Sequence, residues 1–228
     1  MKNILNRIKN RAKRLLWVMI LLPIITGVIG YIFESQQPVT YTATAEIILG
    51  NFENERYTDQ KFASDKLKTK EYIKKIQEKE GLPDTWVSEV LGKLQVSPLA
   101  TKMIVLSYTS TDQIRGEEIV NIVKDYFLSE SNKKFSDKQE HYAKVIKELD
   151  KVDTSGDALA SINKIENYDK ADINLLNLQA TELSEDVKVN VNQPNPMNRA
   201  TLGFLLGLMI NIIILVTPEI FREEPIRD

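Results

Sequence analysis

The residue types that most enzymes use for chemistry are scarce in this chain of 228 residues. It contains no Cys and a single His, His141, which excludes thiolate nucleophiles, zinc–thiolate sites and sites built from several His. The sequence also lacks the phosphate-binding patterns GxxxxGK[ST] and GxGxxG. We therefore predict a protein that is not an enzyme, with no catalytic residues, no cofactor and no metal site.

Carboxylates and the one imidazole are the remaining candidates for chemistry. Glu117 with Glu118, and Asp169 with Asp172, have the spacing of acid–base pairs, and His141 could bind a metal or respond to pH. All of them lie in predicted helices that are dense in charged residues, where such side chains usually form a solvated face. We interpret them as solvent-exposed helix residues.

Two uncharged runs of 19 residues, 15–33 and 200–218, are the strongest signals in the sequence. Each can cross about 30 Å of hydrocarbon as a helix that rises about 1.5 Å per residue. We predict two transmembrane helices in contact with membrane lipid. A cleaved signal peptide is the alternative for the first run, because residues 43–45 have the A-x-A form, but that site lies ten residues beyond the run.

Charge sets the predicted orientation. Residues 1–14 contain six cations and no acid, and 34–199 contain 22 Lys and Arg against 28 Asp and Glu, a net charge of −6. By the positive-inside rule, 1–14 are predicted to be cytoplasmic, and the two spans then return the short tail 219–228 to the cytoplasm. Residues 34–199 are predicted to form one extracytoplasmic domain without the basic surface of a nucleic-acid-binding protein. The residues that carry the topology signal are Arg7, Lys9, Arg11, Lys13 and Arg14.

The pattern of 34–199 predicts four strands and several helices. Strands are expected at 39–49, 94–98, 103–109 and 187–191, with the first and last paired. One helix, or two with a break, is expected over 58–79, and Asp84 is expected to cap a short helix that ends at Lys93. The predicted fold class is α+β, with two transmembrane helices flanking an extracytoplasmic α/β base that carries an extended helical arm.

The arm, about 112–185, begins with a long helix over 113–153 that Thr111 or Asp112 caps. Its thin apolar stripe is expected to pack against its own return helix or another subunit. The return helix is predicted from apolar residues at helical spacing, which are Leu159, Ile162, Ile165, Tyr168, Leu176 and Leu183.

Five residues at the membrane segments are candidate sites. Gly203 and Gly207 form a GxxxG motif that allows close helix packing, although Gly is also generally abundant in membrane helices. Asn211 is expected to hydrogen-bond a neighbouring helix or to lie among headgroups. Pro194 and Pro196 are expected to stiffen the linker that leads into the second span. In the first span, Pro23 frees a carbonyl that a neighbour can satisfy.

The order of these parts resembles the Wzz-type chain-length determinants, the polysaccharide co-polymerases of bacterial envelopes. The resemblance covers essentially the whole chain and is strongest at 15–50 and 187–216. The motifs that carry the resemblance are Tyr41-x-Ala43-x-Ala45-x-Ile47, the strand 103–108, Thr111-Asp112 and Ile119-x-x-Ile122-Val123. The small size and short tail are most similar to Gram-positive members, including the teichuronic acid biosynthesis member of bacilli.

The resemblance implies a homo-oligomer in the bacterial plasma membrane that associates with a Wzy-type polymerase and sets the length of a teichuronic acid or capsule-like polymer of the cell wall. It also makes Pro194 and Pro196 a candidate contact with that polymerase, as the alternative to a plain linker. Contact with the nascent polysaccharide is implied as well, although the sequence shows no compact aromatic platform. One alternative is an adaptor that activates a cytoplasmic tyrosine kinase of polysaccharide export; the short tail, which has no Tyr, argues against it. Another is a transport adaptor, which the terminal span argues against.

Overall fold

The structure is a computed structural model that describes residues 9–99, 102–153 and 156–220. The chain divides into two compact units, one made of Met1–Val39 with Gln193–Asp228 and the other of Thr40–Asn192. The described helices are α1 (Leu16–Ser35), α2 (Glu55–Thr58), α3 (Gln60–Leu67), α4 (Lys70–Glu80), α5 (Asp84–Lys93), α6 (Gln113–Asp150), α7 (Ala158–Leu176) and α8 (Pro196–Ile220). The strands are β1 (Thr40–Ile48), β2 (Leu94–Pro98), β3 (Met103–Ser110) and β4 (Glu182–Asn192).

The terminal unit consists of α1 and α8, which pack against each other along their lengths. Both are long and apolar enough to cross a membrane, and each has a mean hydropathy of 2.3 over its most apolar stretch. Most of their apolar side chains face outward. A helix whose outer surface is apolar is stable only where that surface contacts lipid or another protein.

The central unit is built on a four-stranded antiparallel sheet in the order β2-β3-β1-β4. The predicted pairing of the first and last strands is confirmed, with Thr40 opposite Asn192 and Ala43 opposite Val189. The register of the pairing between β1 and β4 shifts on both sides of Glu46. Together with the long helix and the two apolar helices, this sheet confirms the predicted α+β class.

One face of the sheet carries the core of the central unit. In β1, Ala43, Ala45 and Ile47 alternate with more exposed residues, as expected for a strand with one buried side. The helix α6 packs on β1 and β3. The largest fully buried side chains of this core are Trp86, Tyr108, Phe52, Phe127, Ile47 and Leu49.

The short helices of the central unit begin at capping side chains. Asp59 accepts hydrogen bonds from two backbone N–H groups of α3, and Thr69 caps α4. These two caps divide the predicted helix over 58–79 into separate helices, and Gly81 ends α4 with a left-handed φ of 64°. The prediction that Asp84 caps α5 is wrong: Pro83 occupies the cap position, and the Asp84 carboxylate accepts from Gln77 Nε2.

The long helix α6 extends over 38 residues and is capped by Asp112. At about 1.5 Å per residue it is about 57 Å long. The return helix α7 packs along α6, and Lys164 Nζ donates to the carbonyls of Asp150 and Val152. The arm therefore folds back on itself as a helical hairpin.

One prediction about the return helix is wrong. Leu183 lies in β4, because the chain leaves the helix at Leu176 and becomes extended at Glu182. Most apolar residues of the predicted pattern face outward on α7, whereas Tyr168 is half-buried and Ala171 is buried. The exposed apolar residues of α7 are Leu159, Ile162, Ile165, Ile173 and Leu176.

Candidate functional site

The candidate site is the interface between α1 and α8 in the terminal unit. Glycines from both helices lie in it. An added Cβ at Gly203 would overlap the Thr26 carbonyl, and one at Gly207 would stand 2.5 Å from Pro23 Cα. On the opposing helix, an added Cβ at Gly30 would lie 2.7 Å from the Arg199 carbonyl oxygen. The structure thus places the predicted Gly203 and Gly207 where the two backbones approach most closely.

Asn211 lies farther along the same interface, and its position is explained by Pro23. Pro23 has no N–H, so the carbonyl of Met19, four residues earlier in α1, loses its helical partner. Asn211 Nδ2 donates to that carbonyl at 2.8 Å, and its side chain is buried. The Met19 carbonyl thereby gains a donor in an apolar surrounding, where an unpaired carbonyl is costly. The Asn211 Oδ1 is buried without a hydrogen-bond partner among the described residues.

The start of α8 is fixed by the segment that carries the two predicted prolines. Asn195 is the capping residue, and its Oδ1 accepts from the N–H of Asn198 at 3.1 Å. Pro196 is the first residue of the helix, a position where its missing N–H costs nothing. Pro194 precedes the cap and is half-buried. At this end Arg199 Nε also pairs with Glu34 at 3.1 Å.

At the other end of the pair, Arg11 Nη1 donates to the carbonyl of Leu215 at 3.0 Å. Of the predicted topology residues, Lys9, Lys13 and Arg14 are exposed, and Arg7 lies outside the described residues. The contacts at Arg11, Asn211 and Arg199 are spread over the length of the helices, so they fix the antiparallel register of α1 on α8.

A second polar cluster, in the central unit, was not predicted from the sequence. Glu130 of α6 accepts from Tyr57 of α2 at 3.0 Å and from Lys66 of α3 at 3.1 Å. Lys66 Nζ also lies 3.5 Å from the centre of the Tyr57 ring and 4.7 Å from that of Tyr72, in α4. These residues are far apart in sequence, so no local pattern connects them.

Electrostatics in this cluster favour an ionised carboxylate. Burial alone would raise the pKa of Glu130, but the hydrogen bond and charge of Lys66 and the Tyr57 hydroxyl outweigh burial and hold the pKa below its usual value. Burial, followed by the negative charge of Glu130, raises the pKa of Tyr57, which stays a neutral donor. The cluster therefore connects three helices through a charged, hydrogen-bonded centre.

The residues weighed for acid–base or metal chemistry do not come together in the described part of the chain. Glu118 pairs with Arg115, and His141 is exposed beside the Tyr142 ring. Asp169 is exposed on α7. Among the residues that the structure describes, no group of three or more His, Asp or Glu is placed to hold a metal ion.

Comparisons with known proteins agree with the resemblance drawn from the sequence. No family model matches the chain. The chain is 29% identical over 233 residues to the Teichuronic acid biosynthesis protein TuaF of Bacillus subtilis (strain 168), an alignment that covers 98% of this chain and 100% of that protein. Among solved structures it is similar to a full-length bacterial polysaccharide co-polymerase, with a TM-score of 0.41, 10% identity, and coverage of 95% and 97%. The predicted resemblance is thus confirmed by a relative that aligns with the chain from end to end and is a teichuronic acid biosynthesis protein.

Proposed function

We propose that this protein is a non-enzymatic membrane component that regulates the chain length of an envelope polysaccharide, teichuronic acid or a similar polymer. The observation that carries the proposal is the end-to-end similarity to a teichuronic acid biosynthesis protein. A shared partial domain would leave the membrane segments and their role open, but here both spans and the intervening unit align. The protein acts with a Wzy-type polymerase that makes the bonds of the polymer.

The arrangement of the chain supports this role. The central unit, Thr40–Asn192, is connected to a candidate membrane helix at each of its ends. We infer that both termini are cytoplasmic and that the central unit lies outside the plasma membrane, with Lys9, Arg11, Lys13 and Arg14 on the cytoplasmic side. A domain held at both ends stays at the membrane surface, where a lipid-linked polymer is extended.

The paired helices supply the membrane part of this role. We infer that Gly203, Gly207 and Asn211 hold α1 and α8 together as one two-helix unit in the bilayer. Pro194 and Pro196 set where α8 begins. The outward apolar surfaces of both helices then contact lipid and the membrane helices of the polymerase.

The protein is proposed to form a homo-oligomer through the return helix of the arm. Five apolar residues of α7 are exposed and fall within about a third of the helix circumference at 3.6 residues per turn. An apolar stripe of this kind on an extracytoplasmic helix is covered by a partner. A second copy of the same chain is the partner that the proposed assembly provides.

The experiment that tests the function compares envelope polysaccharides from cells with and without the gene, separated by size on gels. Growth at low phosphate is included as a second condition, so that polymers made only under phosphate limitation are also compared. A shift in the modal length of one polymer supports the proposal and identifies its substrate. Unchanged size distributions for every envelope polymer would overturn it.

A further inference from the structure

A surface pocket of about 340 Å³ lies on the central unit, between α2, α3 and α4. Its volume is in the range of about 300–1,000 Å³ that small-molecule sites occupy. The pocket combines an exposed aromatic side chain, three cations and two carboxylates. No role has been assigned to it so far, and its composition is specific enough to indicate a class of ligand.

The aromatic component is Phe62 of α3. Its side chain is 49% exposed, although the residues immediately after it in the same helix, Ala63 and Ser64, are buried. An exposed Phe beside a pocket provides a flat apolar face, and the C–H groups on one face of a sugar ring pack well on such a surface. Tyr72 contributes a second, buried ring to the lining.

The base of the pocket is rigid. Lys66 lines it, and its side chain is held by the ion pair with Glu130 at 3.1 Å and by the Tyr57 and Tyr72 rings. Only 18% of the Lys66 side chain is exposed. A cation that is already fixed in place loses little conformational freedom when a ligand binds.

The charges at the rim define the ligand more closely. Arg56 and Lys75 line the pocket, and neither has an ion-pair partner among the residues that the structure describes. They can bind a carboxylate, Arg56 with two parallel hydrogen bonds. Asp65 and Glu71 also line the pocket and can accept hydrogen bonds from hydroxyl groups. The negative charges of Asp65 and Glu71 repel a ligand that carries negative charge along its whole length.

We propose that this pocket binds one carboxylate-bearing sugar unit of the polysaccharide, with the ring on Phe62, the carboxylate at Arg56 and Lys75, and hydroxyl groups at Asp65 and Glu71. The choice of a polysaccharide ligand rests on the proposed function. The binding itself depends only on the residues of the pocket, so it can be tested separately.

The test measures binding to the purified full chain in non-ionic detergent by isothermal titration calorimetry. The probe is a tetrasaccharide of alternating glucuronic acid and N-acetylglucosamine, and the neutral comparison is the N-acetylglucosamine tetramer. We expect the acidic probe to bind at least tenfold more tightly than the neutral one. Phe62→Ala and Lys75→Ala are each expected to weaken binding of the acidic probe by about tenfold, since each removes one principal contact.

Lys74→Ala is the matched control, because Lys74 is adjacent to Lys75 on the same helix and does not line the pocket. It is expected to leave the affinity unchanged, and circular dichroism melting checks that all variants fold. Equal affinity of the two probes, no binding of the acidic probe, or unchanged affinity in both pocket variants would each overturn the proposal. Tighter binding of glycerol phosphate oligomers than of the acidic probe would overturn the assignment to a carboxylate.

The failure of this inference is distinguishable from failure of the proposed function. If deletion of the gene changes polymer length but the full chain does not bind the acidic probe, the function stands and the pocket assignment is wrong. If the full chain binds the probe and pocket variants do not, while deletion leaves every polymer unchanged, the pocket assignment stands and the function is wrong.

Discussion

At the scale of single residues, Pro23 and Asn211 explain each other. A proline within a membrane helix leaves a carbonyl unpaired, and an asparagine in a membrane helix needs a partner. In this chain the freed carbonyl of Met19 accepts from Asn211 Nδ2. The donor and the acceptor are 192 positions apart in sequence, so this pairing depends on how the two helices pack.

The first prediction is that the cost of losing Asn211 depends on Pro23. Asn211→Leu is expected to lower the free energy of unfolding by about 1 kcal/mol, because the Met19 carbonyl is left without its donor. In a Pro23→Ala background the same change should cost much less, since the introduced alanine supplies the helical N–H that proline lacks. The measurement is a double-mutant cycle of unfolding in mixed micelles. An equal cost of Asn211→Leu in both backgrounds would show that the two residues are independent.

The second prediction concerns the close approach of the helices at Gly203. Gly203→Ala is expected to destabilise the protein by about 1–3 kcal/mol, because the new Cβ overlaps the Thr26 carbonyl and the helices must move apart. Gly92→Ala is the control, since Gly92 lies in the helix α5 with open space around its Cα. It should be neutral or stabilising. Thermal melting in detergent measures both, and equal melting temperatures would contradict a packed interface at Gly203.

At the scale of elements, the Glu130 cluster joins helices that are short on their own. The helices α2 and α3 have four and eight residues, too few to be stable as isolated helices in water. Tyr57 and Lys66, one from each, converge on Glu130 of α6. This shared contact supplements the packing of both short helices on the longer one.

The third prediction follows from the lowered pKa of Glu130. A carboxylate whose pKa is lower in the folded than in the unfolded state stabilises the fold at pH values above its unfolded-state pKa. This contribution is lost as the pH falls through the folded-state pKa. Glu130→Gln is expected to cost about 1.5–3 kcal/mol at pH 7, and the difference from the wild type should shrink towards pH 3. Melting temperatures across this range measure it.

Two features make the pH experiment specific to Glu130. The pKa values of Glu53 and Glu89, which Lys138 and Arg115 lower, affect wild type and variant alike and cancel in the difference. Glu78→Gln is the control, because Glu78 is exposed and forms only an ion pair within its own helix. A Glu130→Gln difference that stays constant from pH 7 to pH 3 would show that the charge of Glu130 contributes nothing.

The fourth prediction tests the outward face of α7. Ile162→Asp combined with Ile165→Asp is expected to reduce the mass of the proposed oligomer in detergent, because it places two charges in the apolar contact that we propose between copies. Light scattering after size-exclusion chromatography measures the mass. Asn163→Asp is the control, since it adds a charge at an exposed position between them. An unchanged oligomer in the double variant would exclude this face as the contact.

The sequence patterns predicted the positions of helices and strands better than the residues against which those elements pack. The alternation of Ala43, Ala45 and Ile47 identified β1, and uncharged length identified α1 and α8, because these signals are local. The same patterns could not show which face of α7 packs inward, since helical spacing gives a stripe without naming its partner. Leu183 continued that spacing by chance into β4.

The sites were predictable only in part for the same reason. Gly203 and Gly207 stood out because they are four residues apart, and Asn211 stood out because a polar side chain is unusual in an apolar run. The contact between Asn211 and the Met19 carbonyl and the Glu130 cluster each depend on residues distant in sequence. The pocket at Phe62 depends on how three consecutive short helices pack together. Such contacts are set by tertiary packing, which no short motif encodes.

At the scale of the whole molecule, we propose a chain that is held in the membrane by its two ends and presents a folded unit between them. In the part of the chain that the structure describes, no group of three or more His, Asp or Glu is placed to hold a metal ion. The role that we propose is regulatory. A regulator of chain length changes how long each polymer becomes, whereas an enzyme of precursor synthesis changes how much polymer is made. This difference can be measured directly.

The decisive measurement is the size distribution and the total amount of each envelope polysaccharide in a deletion strain that expresses the gene from an adjustable promoter. We predict that the modal length of one polymer changes with expression, while the total sugar incorporated changes much less. A total amount that falls in proportion to expression, with an unchanged modal length, would contradict a role in chain-length regulation.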